Sequence, residues 1–115
     1  MDRLPALAGE HLALLADYFY KQPHVAAAFL FGLYGRGAAR PDSDVDIAVL
    51  MEHDAPDDAM RPVMFTSELM RLLGREDINV VTLNSASPLL RHRVVRDGYV
   101  LFGTSNTVLA EFGMV

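Results

Sequence analysis

Two carboxylates, Asp44 and Asp46, bracket Val45 at the start of an apolar run that continues to Met51. Side chains on a strand alternate between faces, so Asp44 and Asp46 point the same way. Ahead of them a glycine-rich turn, Gly32-Leu33-Tyr34-Gly35-Arg36-Gly37, leaves another apolar run, Val25 to Phe31. A glycine-rich backbone approaches phosphates closely and offers them its N–H groups. Carboxylates are hard oxygen ligands for Mg²⁺. Together these residues suit a divalent cation carrying a nucleoside triphosphate.

The stretch Phe31 to Met51, FGLYGRGAARPDSDVDIAVLM, resembles the signature of the nucleotidyltransferase superfamily of DNA polymerase beta type. Within it, the resemblance is to the minimal nucleotidyltransferases. Their signature is Gly-Ser, a loop that often contains Arg-Gly, and Asp-x-Asp, commonly with Ser-Asp before the second Asp. Gly32, Arg36-Gly37 and Ser43-Asp44-Val45-Asp46 fall at the family's spacing. The resemblance implies nucleotide contacts at Gly32, Leu33, Arg36, Gly37 and Ser43, with ATP as the substrate. It implies catalysis at Asp44 and Asp46, and Mg²⁺ ligation at Asp44, Asp46 and Asn79. It also implies an α+β fold of mixed α/β character, a small mixed sheet flanked by helices.

This sequence departs from the family at two positions. The family's third carboxylate lies on a neighbouring strand, often in a Val-Asp-Leu-Val-x-Leu-Asn pattern. Here the pattern reads Ile78-Asn79-Val80-Val81-Thr82-Leu83-Asn84, which puts an amide at position 79. An amide oxygen can ligate a cation, but it neither takes a proton as a general base nor offsets a metal's charge. Asp77 faces the same side as Asn79 but is displaced by roughly 6.5 Å, too far to substitute without a bulge or register change. Glu76 and Asp77 otherwise read as polar residues at a strand entrance. The second departure is Leu33, which stands where the family has Ser. A hydroxyl donated to a charged phosphate is worth about 1.5–3 kcal/mol, so this exchange weakens ATP binding by about one to two factors of ten.

Two functions follow from the resemblance. One is an enzyme that transfers AMP from ATP to a hydroxyl, a tyrosine of a HEPN-domain toxin, as the antitoxin of that pair. The other is a catalytically degenerate nucleotidyltransferase fold that acts as a toxin-binding module.

The whole chain is consistent with either. Its 115 residues suit a single domain, 1–115. A hydrophobic content of 51% with 22% charged residues belongs to a globular chain rather than a disordered one. The net charge of −5 argues against a broad nucleic-acid surface. Any nucleotide is therefore held locally, by a metal and a few arginines. Arg36 is the foremost candidate and Arg40 a weaker one, while Arg91, Arg93 and Arg96 read as a solvated or partner-facing helix surface. No apolar run approaches the length that spans a membrane, and no basic segment precedes an apolar core at the N-terminus. The expected location is the cytoplasm. Cysteine is absent, which removes thiolate metal sites and disulfides. His11, His24, His53 and His92 share no metal-ligand spacing. A homo-oligomer stays open.

The elements that must position these groups follow from periodicity and punctuation. Leu4 to about Tyr20 reads as an amphipathic helix with Asp2 as N-cap and Pro5 in the first turn. Val25–Phe31 and Val45–Met51 read as buried strands. Glu52 to Asp58 reads as an acidic surface loop, with Asp54, Asp57 and Asp58 as solvated turn and cap residues. A helix begins near Ala59 to Pro62 and ends at Leu73 before Gly74, with Phe65, Leu69, Leu72 and Leu73 inward and Met60, Met64 and Met70 as core filler. Asp77 to Leu83 reads as a strand, Pro88 to about Arg96 as a helix capped by Ser87, and Tyr99 to Phe102 as a short strand. Thr104 to Val115 reads as a last helix.

Overall fold

The computed structural model describes residues 7–35, 37 and 44–103. Four strands form one sheet: β1 (Val25–Phe31), β2 (Val45–Met51), β3 (Ile78–Thr82) and β4 (Tyr99–Phe102). Their order is β3-β2-β1-β4, with β1 antiparallel to both β2 and β4 and β2 parallel to β3. This is the small mixed sheet expected. The parallel β2–β3 pair needs a crossover connection, and the helix Arg61–Leu73 lies in it. In chain order the helices are α1 (Gly9–Lys21), α2 (Gly32–Gly35), α3 (Arg61–Leu73) and α4 (Pro88–Asp97).

Alternation along the strands builds two apolar layers. Val45, Ile47 and Val49 of β2 face a core with Leu15 and Phe19 of α1 and Phe65 and Leu69 of α3. Each of those buried side chains contributes about 1.5–3 kcal/mol of transfer free energy. Ala48 and Leu50 face the other way, onto Phe29, Leu83 and Val94 of α4. By the same alternation Asp46 belongs to the α4 face. It lies beyond the apolar contacts, at the strand's entrance.

Helix ends follow local chemistry. The α3 helix stops at Gly74, whose φ of 66° is left-handed, and Arg75 N–H donates to Met70 O at 3.2 Å. Ser87 Oγ accepts the Leu90 N–H at 3.2 Å to start α4, with Pro88 in its first turn. The first helix corrects the sequence reading. It begins at Gly9, after Ala8 in extended conformation, and His11 Nδ1 accepts the Ala8 N–H at 2.9 Å. The expected N-cap Asp2, the first-turn Pro5 and the helix Thr104 to Val115 lie outside the described residues. Three further readings are overturned: Met60, Met64 and Leu72 are 63%, 44% and 41% exposed and fill no core.

Beyond β3 a single 3₁₀ turn, Leu83–Ser85, carries Asn84. Its side chain acts as one more residue of the ladder. Oδ1 accepts the Met51 N–H at 2.8 Å and Nδ2 donates to Met51 O at 2.9 Å. Asn84→Ala removes both bonds at the end of β2. The expected loss is about 1–3 kcal/mol, read as a lower thermal midpoint by several degrees. An unchanged midpoint would mean that water replaces both bonds at no cost.

Candidate functional site

Register places the site. Phe31, the last residue of β1, pairs with Asp46, and Asp46 on its other side pairs with Asn79 of β3. The chain leaves β1 at Gly32, so the signature turn starts directly beside Asp46. Gly32 has a φ of 63°, and a Cβ built on it would lie 2.7 Å from Asp46 Oδ2. Backbone and carboxylate can come this close only because position 32 carries no side chain.

Gly35 closes the short helix in the same manner. A Cβ there would meet Asp97 O at 2.3 Å and Leu30 O at 2.6 Å, which wedges α2 between the end of β1 and the end of α4. Gly37 is also left-handed, at φ 72°, with its N–H donating to Tyr34 O at 3.2 Å. Leu33 lies within α2. Arg36, Ser43 and the weaker candidate Arg40 lie outside the described residues.

Asp44 is exposed and Asp46 half-buried, and Val45 between them is buried on the opposite face. The Val45 N–H donates to Asp77 O at 2.8 Å, which pins the strand between the two carboxylates. Burial pushes the Asp46 carboxyl above the usual carboxylate range. The Asn79 amide pulls the other way, with Nδ2 donating to Asp46 Oδ1 at 3.4 Å, and the charge of Asp44 adds to the upward push. A carboxyl whose pKa is raised by burial holds its negative charge at a cost. A divalent cation between Asp44 and Asp46 would lower that cost.

Sequence reasoning missed Arg75. This guanidinium is only 5% exposed. Its Nε and Nη2 donate to Asp77 Oδ1 and Oδ2, each at 2.6 Å. That two-pronged contact holds the Asp77 carboxyl below its ordinary range. The only signal in the sequence was an arginine two residues before an aspartate, just after the glycine that stops α3. The β2–β3 register runs unbroken from Val45↔Ile78 to Val49↔Thr82. No bulge brings Asp77 to the level of Asp46. Among the described residues no group of three His, Cys, Asp or Glu side chains is placed to hold a metal ion.

The other arginines considered divide as the helix surface does. Arg96 pairs with Asp97 at 2.8 Å, Arg91 Nη2 donates to Asn84 O at 3.2 Å, and Arg93 is exposed. A cavity of about 660 Å³ opens at the far end of β2, where Met51, His53, Asp58 and Asn84 line it. Met51 is roughly 16 Å along the strand from Asp46, so this cavity is separate from the paired carboxylates. Asp54, Asp57 and Asp58 are exposed, and Asp58 Oδ1 accepts the Met60 N–H at 2.9 Å, a turn contact as expected, whereas the N-cap of α3 is Met60, with no side-chain cap bond.

Known proteins resemble this chain in sequence and fold. The family model described as polymerase beta, nucleotidyltransferase, matches residues 14–107. The protein adenylyltransferase MntA of Shewanella oneidensis is 38% identical over 82 residues, 71% of this chain and 57% of that protein. This chain therefore spans little more than half the length of that relative. The protein adenylyltransferase MntA of Aphanizomenon flos-aquae is 30% identical over 109 residues, 88% of this chain and 71% of that one. Among solved structures, a toxin-antitoxin crystal structure with AMP-PNP contains a chain with a TM-score of 0.71 and 30% identity, covering 92% of this chain and 81% of its own. A complex of tri-AMPylated Shewanella oneidensis HEPN toxin with MNT antitoxin gives a TM-score of 0.65 at 27% identity, covering 88% of this chain and 79% of its own.

Proposed function

Because the chain belongs to the polymerase beta nucleotidyltransferase family, we propose that it transfers AMP from ATP, with Mg²⁺, to a tyrosine of a HEPN-domain toxin and so serves as that toxin's antitoxin. The observation that carries this reading is the line Gly32–Asp46–Asn79, with Asp44 on the same face. Relatives that are named protein adenylyltransferases, and a related complex that holds an AMPylated HEPN toxin, support it. ATP as substrate draws support from the related complex with AMP-PNP.

The donor set fits a cation. Asp44 and Asp46 are anionic oxygen ligands on one face, and one carboxylate pair plus substrate phosphates is a common way for proteins to hold Mg²⁺. When bound, Mg²⁺ offsets charge on the triphosphate and on the departing pyrophosphate. Gly32 keeps the end of β1 clear of side chains beside Asp46, and a glycine-rich turn suits phosphate through its backbone N–H groups. Leu33 supplies no hydroxyl there, so these backbone groups, with Arg36 and Ser43, carry the nucleotide contacts.

In the transfer, the acceptor oxygen bonds to the α-phosphorus and the bond from that phosphorus to the bridging oxygen of pyrophosphate breaks. Pyrophosphate leaves with the electron pair, and the acceptor's proton passes to water. Asn79 cannot take that proton, so the acidity of the acceptor matters. Ionising a phenol of pKa about 10 at pH 7 costs about 4 kcal/mol. An aliphatic hydroxyl, roughly as weak an acid as water, costs about 12 kcal/mol. The site therefore favours tyrosine over serine, threonine or a sugar.

A second reading has its own observation. An amide donating to Asp46 where the family has a carboxylate suits a fold retained to bind a toxin, with nucleotide as a structural ligand at most. Calorimetric titration with ATP, with and without Mg²⁺, separates the two. The enzyme reading expects Mg²⁺-dependent binding in the micromolar range, followed by an AMP adduct on a tyrosine of a HEPN partner, found by mass spectrometry. No binding at millimolar ATP, with the partner present, would leave the binding-module reading.

On the proposed reading residues 1–115 act as one nucleotidyltransferase-like domain, working in the cytoplasm where ATP and the toxin meet. Among the described residues no helix is long and apolar enough to cross a membrane.

A further inference from the structure

We infer that this site holds one divalent cation rather than two, and that Asn79 is the residue that sets the count. The inference rests on the nucleotide site proposed above and concerns the metals that site takes. Two-metal phosphoryl transfer places two dications about 3.5–4 Å apart. Such a pair needs anionic ligands shared between the ions. Asp44 and Asp46 supply two carboxylates. The third position that faces Asp46, by register across β2 and β3, is Asn79. Its amide directs Nδ2, a donor, at Asp46 Oδ1 at 3.4 Å. Turned the other way it offers a neutral oxygen, which adds a ligand but no charge.

The neighbouring carboxylate does not compensate. Asp77 gives both oxygens to Arg75 at 2.6 Å, and the guanidinium is almost wholly buried. Recruiting Asp77 to a metal would strip a buried cation of this partner, and such a separation is strongly unfavourable. It would also require a register change that the unbroken β2–β3 pairing lacks. Glu76 is exposed at the turn before β3, and no trio of His, Asp or Glu is disposed around a common point among the described residues. Two carboxylates with phosphate oxygens complete an octahedral shell for a single ion. That is the stoichiometry the geometry supports.

The test counts ions and does not depend on turnover. Mn²⁺ binding would be followed by electron paramagnetic resonance in the presence of α,β-methylene-ATP, for the wild type and for Asn79→Asp, Asn79→Ala and Asp77→Asn. Thermal melting of each variant checks the fold. The expected counts of tightly bound Mn²⁺ per nucleotide complex are one for the wild type, two for Asn79→Asp and one for Asn79→Ala. Asp77→Asn should keep one ion while melting at a lower temperature. Two ions in the wild type would overturn the inference and leave the proposed transferase standing, and a fall to one in Asp77→Asn would then identify Asp77 as the third ligand. A count that stays at one in a folded Asn79→Asp protein would also overturn it, because Asn79 would not be the determinant. No bound ion in the wild type would remove both the inference and the metal–nucleotide site beneath it.

Discussion

Replacing Asp44 and Asp46 together by Asn should abolish Mg²⁺-dependent ATP binding and leave the domain folded. The two carboxylates are the anionic ligands of the proposed site, and each charge-assisted contact is worth about 1.5–3 kcal/mol. Losing both should weaken binding by roughly 10²–10⁴-fold, which puts it out of calorimetric range. Folding should not suffer. Asp46 is half-buried, and burial, with the charge of Asp44, raises its pKa in the folded state. A carboxyl of raised folded pKa contributes stability that is fully present below its unfolded pKa and lost as pH rises through the folded pKa. At neutral pH the wild type therefore lacks that contribution, and an amide of the same shape carries no charge to bury. The thermal midpoint of the double variant should equal or exceed that of the wild type. Unchanged Mg²⁺-dependent binding in the folded variant would remove the site.

The same signs predict a pH profile. As pH falls, Asp46 takes up its proton earlier than an ordinary aspartate, so metal-dependent ATP binding should weaken before the fold does. Asp77 behaves oppositely. Arg75 lowers its folded pKa, and a carboxyl lowered in this manner contributes stability above its unfolded pKa that is lost as pH falls through the folded one. Site and scaffold thus titrate apart, although their carboxylates lie two register positions from each other. Binding and far-ultraviolet circular dichroism, measured on the same samples, should show the loss of binding at the higher pH.

How far the sequence could be read depended on the kind of signal each residue gives. Val25–Phe31 was legible as a strand because a short apolar run between Pro23 and Gly32 has few other readings, Val45–Met51 because its apolar run is bounded by charged residues, and both keep those bounds in the structure. Asp44 and Asp46 sharing a face followed from period two alone. The approach of Asp46 to Gly32 did not. It depends on the antiparallel register that sets Phe31 against Asp46, and register is a property of the folded sheet. Leu72, Met60 and Met64 were misread for a related reason: the three-and-four spacing of α3 defines a broad apolar stripe, but only Phe65 and Leu69 meet the sheet squarely enough to be buried. Arg75 and Asn84 were invisible because their partners, a carboxylate on a strand entrance and a backbone peptide at the end of β2, are chosen by tertiary geometry.

Gly32→Ala should cost nucleotide binding far more than it costs stability, and Gly37→Ala supplies the control. Both glycines sit in the left-handed region, at φ 63° and 72°. A non-glycine residue there costs about 1–2 kcal/mol, so each variant should lose a similar few degrees of thermal midpoint. What a side chain would meet differs. At position 37 a Cβ has nothing within 4 Å among the described atoms, whereas at position 32 it falls 2.7 Å from Asp46 Oδ2. That separation is too short for real atoms, and the atom in the way belongs to a side chain. The carboxylate must therefore swing aside, losing its alignment with Asp44. A displacement on the order of 1 Å at a reacting centre can cost about 10²-fold. Metal-dependent ATP binding and transfer in Gly32→Ala should fall by about that factor, with a smaller effect in Gly37→Ala through its backbone alone. Equal losses in the two variants would assign the effect to turn conformation and would remove the contact with Asp46 from the account of the site. A selective loss at position 32 would mean that the glycine of the signature is there to give a metal-binding carboxylate its room.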